Sequence, residues 1–299
     1  MTQLLNGNKL ALDIRKEISD EIEKSIRNKK KRLPHLGIIL LGTNPSSLTY
    51  VNSKIKECKN IGIESSLIHL PNDSSEKELL KEIQKMNKNP LIDGFIVQLP
   101  LQKHINSDKI IMSINPIKDV DGFHPENFGK MSLDMKAFFP ATALGILTIL
   151  ERYKIEISGK HTVVIGRSRI VGRPISILMS RKKYLGNSTV TLTHSHTPNI
   201  DYYTKQADII ITAVGRPGFL TGKMIKEGAI VIDVGITKVR NGKKSFLKGD
   251  VDFNSVYGKA SYLTPVPGGV GPMTRIMLIK NTLIAALNNE KNKSRFFSC

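Results

Sequence analysis

"VVIGRSRIVGRPISILM", residues 163–179, runs from an apolar strand through a glycine turn into a helix with Pro174 in its first turn. That order is the layout of a nucleotide site, where the open N–H groups at a helix start face a phosphate. The stretch departs from G-x-G-x-x-G, because Ser168 occupies the second glycine position and Val171 the third. Gly166 makes the turn, and Arg167 and Ser168 set a guanidinium and a hydroxyl beside the helix start, where both suit an anion. Glycine turns after strands are common in α/β proteins, so the turn alone fixes the layout and not the activity.

The strand that follows tells which dinucleotide to expect. An NAD site usually ends its second strand in an acid that holds the ribose 2′-hydroxyl. Here the strand ends in Thr193, His194, Ser195 and His196, with no carboxylate. Donors at that place, with Arg167 near, suit a 2′-phosphate, so the expected cofactor is NADP. His194 and His196 alternate, which on a strand sends them to opposite faces and makes them a poor metal pair. No other Cys/His/acid cluster has ligand spacing, and no metal is expected.

Further outward, "HTVVIG", "STVTLTH", "ADIIITAVG" and "AIVIDVG" are four buried-strand candidates separated by helical or turn segments. "PATALGILTILERY" from Pro140 reads as a helix leading into this second unit, and "YLTPVPGGVGPMT" precedes a final helix, "RIMLIKNTLIAALNN". In the first half, Ile14, Ile18 and Ile22 stripe an opening helix, followed by the strand "LGIILLG". "ESSLIHL" and "DGFIVQLPL" are strands, "SSEKELLKEIQKM" a helix capped by Ser74 or Ser75, and "SDKIIMSI" a short helix. "NPIKDVDGFHPENFGKM" reads as a loop and "KNKSRFFSC" as a frayed tail. The rhythm implies an α/β protein of two domains across a cleft, with mostly parallel sheets. A β-α-β catalytic domain would hold residues 1–139 and a C-terminal helix 272–299, and a Rossmann-like NADP domain residues 140–271.

Composition limits the remaining choices. The chain has 299 residues and is 40% hydrophobic, enough for two domains. It has no apolar run able to cross a bilayer. Its start, "MTQLLNGNKLALDIRKEISD", is charged too early for a secretory signal and too acidic for a transit peptide. Two cysteines, Cys58 and Cys299, offer no disulfide framework, and a reducing cytoplasm is expected. The net charge of +19 raises the question of nucleic acid. The lysines are dispersed, however, and neither an aromatic-rich RNA motif nor zinc-finger spacing occurs, so no nucleic-acid partner is expected. A basic surface also attracts an anionic small substrate.

"LTYVNSKIKECKNIG", residues 48–62, enters its helix through Asn44, Pro45 and Ser46. Leu48, Val51, Ile55 and Cys58 form its core stripe, and Tyr50 and Lys54 lie together roughly 100° round from the stripe's centre. Alone, such a pair is an amphipathic flank with wet tips. A Tyr-x-x-x-Lys pair with a nucleotide unit also describes short-chain dehydrogenases, but there the glycine turn comes first and the pair later. The order here is reversed.

Four segments, "YVNSKIKEC", "GFIVQLPLQKHI", "KDVDGFHPENFG" and "LTPVPGGVGPMT", with "GRSRIVGRP" between the last two, closely resemble the bifunctional methylenetetrahydrofolate dehydrogenase/cyclohydrolase family. The resemblance runs from about residue 5 to 290 in matching order. One departure is "PATA", with Ala141 and Ala143, where the family usually has Pro-Cys-Thr-Pro; it bears on the domain junction and removes no catalytic group.

The resemblance implies oxidation of 5,10-methylenetetrahydrofolate by NADP, then hydrolysis of the methenyl cation to 10-formyltetrahydrofolate. It implies Lys54 as the catalytic lysine, Gln98 as its hydrogen-bonding neighbour, Tyr50 positioning the folate and Asp121 anchoring the pterin. It further implies Gly166, Arg167, Ser168, Ser195 and Ile236 against the cofactor, and Tyr50, Asp121, Pro265, Gly268 and Gly269 against the substrate. A homodimer is expected by the same route, supported otherwise only by a generic sheet edge. The alternatives are a monofunctional NADP-dependent dehydrogenase, or an inactive relative that binds folate or nucleic acid. All four catalytic-type positions are filled, which favours the bifunctional enzyme.

Overall fold

The computed structural model describes residues 1–29, 31–241 and 244–296. In chain order the elements are β1 (Gln3–Leu4), α1 (Gly7–Ile22), β2 (His35–Leu41), α2 (Pro45–Ile61), β3 (Glu64–Leu70), α3 (Glu76–Lys88) and β4 (Gly94–Val97). Then come α4 (Ser107–Met112), α5 (Pro125–Ser132), α6 (Ala141–Arg152), β5 (His161–Ile165), α7 (Gly172–Ser180), β6 (Thr189–Thr193) and α8 (Ile200–Thr204). The last are β7 (Ile209–Thr212), β8 (Ile230–Asp233), β9 (Thr237–Asn241), β10 (Lys244–Lys248), α9 (Phe253–Val256), β11 (Tyr262–Leu263) and α10 (Val270–Phe296). They form two compact units, Met1–Leu12 with Thr142–Thr274, and Asp13–Ala141 with Arg275–Cys299.

The first unit is a six-stranded sheet in the order β1-β11-β8-β7-β5-β6, and every pairing in it is parallel. Apolar residues such as Val163, Ile165, Ile210, Val231 and Leu263 pack into its core, as a sheet covered on both faces requires. Counted from β5, the second strand lies to one side of the first and the third to the other. The strand order therefore reverses between β5 and β7, and ligands of open α/β sheets bind beyond the carboxyl ends at such a point. Met1–Leu12 belong to this unit, although the sequence reading grouped them with the other. The reason is that Gln3 and Leu4 extend the sheet in register with Tyr262 and Leu263.

The second unit has a three-stranded parallel sheet, β3-β2-β4, with Ile39, Phe95, Leu79 and Ile83 in its core. Its helix α3 starts in a capping box: Ser75 Oγ accepts the N–H of Glu78, while the Glu78 carboxylate accepts the N–H of Ser75.

Three features depart from the sequence reading. The supposed loop from 115 to 131 contains α5, which starts at Pro125 with His124 Nδ1 accepting the N–H of Glu126. The polar stretch after β8 forms the antiparallel hairpin β9–β10. Helix α10 continues to Phe296 through most of the expected tail, and Cys299 lies outside the described residues. Among the described residues no helix is long and apolar enough to cross a membrane.

Candidate functional site

Helix α2 opens with Pro45 in its first turn and Asn44 Oδ1 accepting the N–H groups of Ser46 and Ser47. Its buried residues are Ser47, Val51, Lys54, Cys58 and Ile61, while Leu48 and Ile55 are half-buried. At 3.6 residues per turn this stripe is rotated by about 60° from one centred on the apolar residues. The rotation takes Lys54 out of the flank and into the buried face, where it is only 8% exposed.

A buried ammonium needs partners. Lys54 Nζ donates to Gln98 Oε1 at 3.0 Å. Gln98 sits just past β4, where its backbone N–H donates to Ile39 O at 2.9 Å and its Nε2 to Leu99 O at 2.6 Å. Burial lowers the pKa of Lys54, opposed by the nearby carboxyl of Asp121 and by Cys58. Asp121 shows the reciprocal effect: burial pushes it up to about 6, the Lys54 ammonium draws it down, and Asp119 adds an upward push. Tyr50, half-buried one helical turn before Lys54, has its phenol raised by burial against the lowering influence of Arg275. Tyr50, Lys54, Gln98 and Asp121 thus share one unit, with an amine and a carboxyl each shifted toward neutrality.

The turn carrying Asp121 is tightly held. Asp119 Oδ1 accepts the N–H of Gly122 at 3.1 Å, and its Oδ2 accepts the N–H of His124 at 2.8 Å and Asn127 Nδ2 at 2.9 Å. From α10, Asn281 Nδ2 donates to Val120 O at 2.9 Å and Phe139 O at 3.2 Å. Gly122 has a φ of 74°, and a Cβ there would meet Phe139 C at 2.6 Å. Sequence reasoning missed Asp119, Asn127 and Asn281. The available signals were the doubled aspartate of "DVDG" and a lone asparagine within the apolar run of α10.

In the other unit, Gly166 follows β5 with a φ of 109°, and a Cβ there would lie 2.4 Å from Ala213 O beyond β7. Its N–H donates to Thr193 O at the end of β6 at 2.9 Å. Only glycine closes this turn at the point where the strand order reverses, and α7 begins six residues later. Ser168 Oγ accepts the N–H of Val171 at 3.1 Å and of Gly172 at 3.4 Å, which leaves its own hydrogen free to donate. Arg167 and Ser195 are exposed, Ile236 is 36% exposed, and a Cβ on Gly271 would come 3.1 Å from Ile236 Cδ1. Glycine turn, helix start and exposed guanidinium together fit a phosphorylated dinucleotide.

The alternation argument for the two histidines does not hold. β6 ends at Thr193, so His194 and His196 lie in a turn, and their rings meet edge to face with centroids 6.2 Å apart. His196 N–H donates to His194 Nδ1 at 3.2 Å, and the pKa of His194 is lowered by desolvation, Arg167 and His196. Among the described residues no group of three or more His, Cys, Asp or Glu is placed to hold a metal ion. Pro265, Gly268 and Gly269 belong to the unit of the glycine turn, not that of Lys54. Their loop rests on the start of α1, where Asn8 N–H donates to Gly268 O at 3.1 Å.

Fold and site define an α/β enzyme in which a dinucleotide-type sheet accompanies a unit with a buried lysine and a near-neutral carboxyl. Comparison with known proteins narrows this. Residues 5–121 match the tetrahydrofolate dehydrogenase/cyclohydrolase catalytic domain, and residues 140–290 the NAD(P)-binding domain of that family. The chain is 58% identical over 292 residues to the bifunctional protein FolD of Flavobacterium psychrophilum, covering 97% of this chain and 99% of that one. Among solved structures it is similar to the FolD methylenetetrahydrofolate dehydrogenase/cyclohydrolase of Campylobacter jejuni, with a TM-score of 0.91, 43% identity, and 96% and 99% of the two chains covered. The Trypanosoma brucei methylenetetrahydrofolate dehydrogenase-cyclohydrolase, complexed with NADP and an inhibitor, gives a TM-score of 0.91 at 36% identity, with 95% and 97% covered. The chain belongs to the tetrahydrofolate dehydrogenase/cyclohydrolase family.

Proposed function

We propose that the protein oxidises 5,10-methylenetetrahydrofolate to the methenyl cation with NADP, and then hydrolyses that cation to 10-formyltetrahydrofolate. The observation that carries this reading is the buried Lys54 amine, held by Gln98 and lying beside Asp121. NADP, when bound, supplies the acceptor for the hydride that leaves the methylene carbon. Gly166, the start of α7 and Ser168 would hold its phosphates, Arg167 and Ser195 would hold its 2′-phosphate, and Ile236 would pack against it.

The Asp121 carboxyl engages the pterin edge, where adjacent N–H donors match its oxygens. Tyr50 lays its ring against the folate, and in the other unit Pro265, Gly268 and Gly269 form a turn whose backbone a flat ligand can approach closely. The oxidation moves a hydride and no proton, so it asks the chain only for binding and orientation. Hydrolysis asks for more. Water adds to the methenyl carbon and loses a proton to the Lys54 amine. As the carbon–nitrogen bond breaks, the ring nitrogen gains one proton and the other water-derived proton leaves to solvent. Burial lowers the pKa of this amine, so it gives up a proton more readily than an exposed lysine, and Gln98 orients it without adding a charge.

Absorbance spectroscopy with methylenetetrahydrofolate and NADP⁺ tests the reading by following NADPH and methenyltetrahydrofolate together. NADPH should appear with little methenyl species remaining. NADPH with stoichiometric, persistent methenyltetrahydrofolate would identify a monofunctional dehydrogenase, and no NADPH would reject the reading. The proposal extends to a homodimer in the cytoplasm. The outer strand β6 has no further strand beside it among the described residues, and Cys58 is buried as a free thiol. Sedimentation at micromolar concentration tests the dimer.

A further inference from the structure

Asp121 needs a fixed direction, and its own side chain does not set it. The peptide plane before it is held through Val120 O by Asn281, and the plane after it is held through the N–H of Gly122 by Asp119. With both flanking planes fixed, φ and ψ of Asp121 have little freedom left. Asp119 is 2% exposed, and its two oxygens receive three N–H donors, from Gly122, His124 and Asn127. Asn127, itself 4% exposed, is steadied by a second bond from Nδ2 to Pro116 O at 2.9 Å.

We propose that Asp119 is a positioning residue for the folate reactions, fixing the turn so that the Asp121 carboxyl faces the pterin edge. This rests on the reading of Asp121 as the pterin anchor. The chemistry calls for a carboxylate at 119, because three donors converge and an amide has only one acceptor oxygen. Asp119→Asn can turn its oxygen to His124 and Asn127, which leaves its NH₂ against the N–H of Gly122. The Gly122 N–H, shared in the parent between Asp119 Oδ1 at 3.1 Å and the Asp119 main-chain O at 3.2 Å, then keeps only the main-chain acceptor, and the damage falls on the peptide adjoining Asp121. The charge of Asp119 also acts directly, since it is one of the influences that raise Asp121, against Lys54 from α2.

The experiment is Asp119→Asn, read by folate kinetics, NADP⁺ binding and a ¹³C carboxyl titration of Asp121. The KM for methylenetetrahydrofolate and for methenyltetrahydrofolate should each rise about tenfold or more, as for one lost charge-assisted contact. The NADP⁺ dissociation constant should stay at the parent value, and Asp121 should titrate below the parent's value of about 6. A folded Asp119→Asn enzyme with parent KM values and an unmoved Asp121 titration overturns the proposal.

Asn127→Ala guards against a misfolded first variant. It removes one donor while keeping the charge, so the folate KM should rise roughly three- to tenfold with the Asp121 titration not lowered. A parent KM in that variant also counts against the proposal. Asp121→Asn separates the two readings. If it leaves the folate KM unchanged, the anchor reading itself fails; if it raises KM while Asp119→Asn does not, only the positioning role fails.

Discussion

Lys54 and Arg167 are the two cations of the proposed sites, and the fold treats them in opposite ways. Lys54 lies in the buried stripe of a helix, held by a single side-chain acceptor, with its pKa lowered by burial. Arg167 stands exposed on a glycine turn. The difference follows from the side chains and the tasks. An ammonium sheds its proton when desolvated and so serves proton transfer, whereas a guanidinium stays charged and serves as a phosphate clamp. On the proposed roles, burial is part of the chemistry in one unit, and exposure is part of it in the other.

The largest expected effect breaks that comparison at Lys54. Lys54→Gln keeps much of the stem and suits a helix, so a packing role alone predicts mild losses in both reactions. A proton-handling role predicts a split, with cyclohydrolase activity falling about 10²–10⁴-fold while hydride transfer persists. Methenyltetrahydrofolate should then accumulate in the coupled assay. Parent-rate hydrolysis by this variant would return Lys54 to a packing role.

The counterpart at Arg167 is smaller. Arg167→Ala should weaken NADP⁺ by about ten- to hundredfold, the value of one charge-assisted phosphate contact of roughly 1.5–3 kcal/mol, and leave NAD⁺ nearly unaffected. Titration of both dinucleotides against the variant measures it. Equal losses would remove Arg167 from the 2′-phosphate site.

The same contrast explains what could be read from sequence. The glycine turn, the parallel strands and the absence of an acid after β6 were legible because loop chemistry and buried strands leave local signatures. The burial of Lys54 was not, since an apolar count centres the stripe on Leu48 and Ile55 and treats a lysine as surface. Only the joint motifs pointed to it. Helix α5 escaped because it has eight residues and a histidine cap instead of Ser, Thr, Asp or Asn. The hairpin β9–β10 escaped because its strands, TKVRN and KSFLK, are largely polar. The histidine pair misled because a period of two was carried past the end of β6.

Two carboxyls, Asp121 half-buried and Asp233 buried, sharpen the comparison through pH. Burial raises both Asp121 and Asp233 to about 6. Each folded carboxyl keeps its proton to a higher pH than in the unfolded chain, whose ordinary value is 3.8. Their contribution to stability is therefore fully present below the ordinary value and is lost as pH rises through about 6. Asp121→Asn removes that loss in the folate unit. At pH 7 it should stabilise the ligand-free protein by about 1–2 kcal/mol, after allowance for its partial exposure. Asp233→Asn should act oppositely, because Asp233 accepts the N–H groups of Gly235, Asp250 and Val251, and an amide sets a donor against donors. Denaturant melts at pH 5 and 7 distinguish the two.

The smallest expected effect concerns Ser168, where packing and ligand roles meet in one hydroxyl. Its oxygen accepts the N–H groups of Val171 and Gly172 at the start of α7, so removing it leaves those donors to water. Ser168→Ala should cost about 0.5–1.5 kcal/mol of stability, the net value of a neutral hydrogen bond. The hydroxyl hydrogen remains available to a dinucleotide phosphate, and its loss adds a second neutral bond and no charge. NADP⁺ and NAD⁺ should therefore weaken alike, by roughly two- to tenfold, in contrast to the selective loss at Arg167. Calorimetric titration of both dinucleotides, paired with a thermal melt, reads the two roles separately. A lowered melting temperature with both affinities intact would make Ser168 a helix-start residue only. A loss confined to NADP⁺ would place its hydroxyl on the 2′-phosphate, beside Arg167.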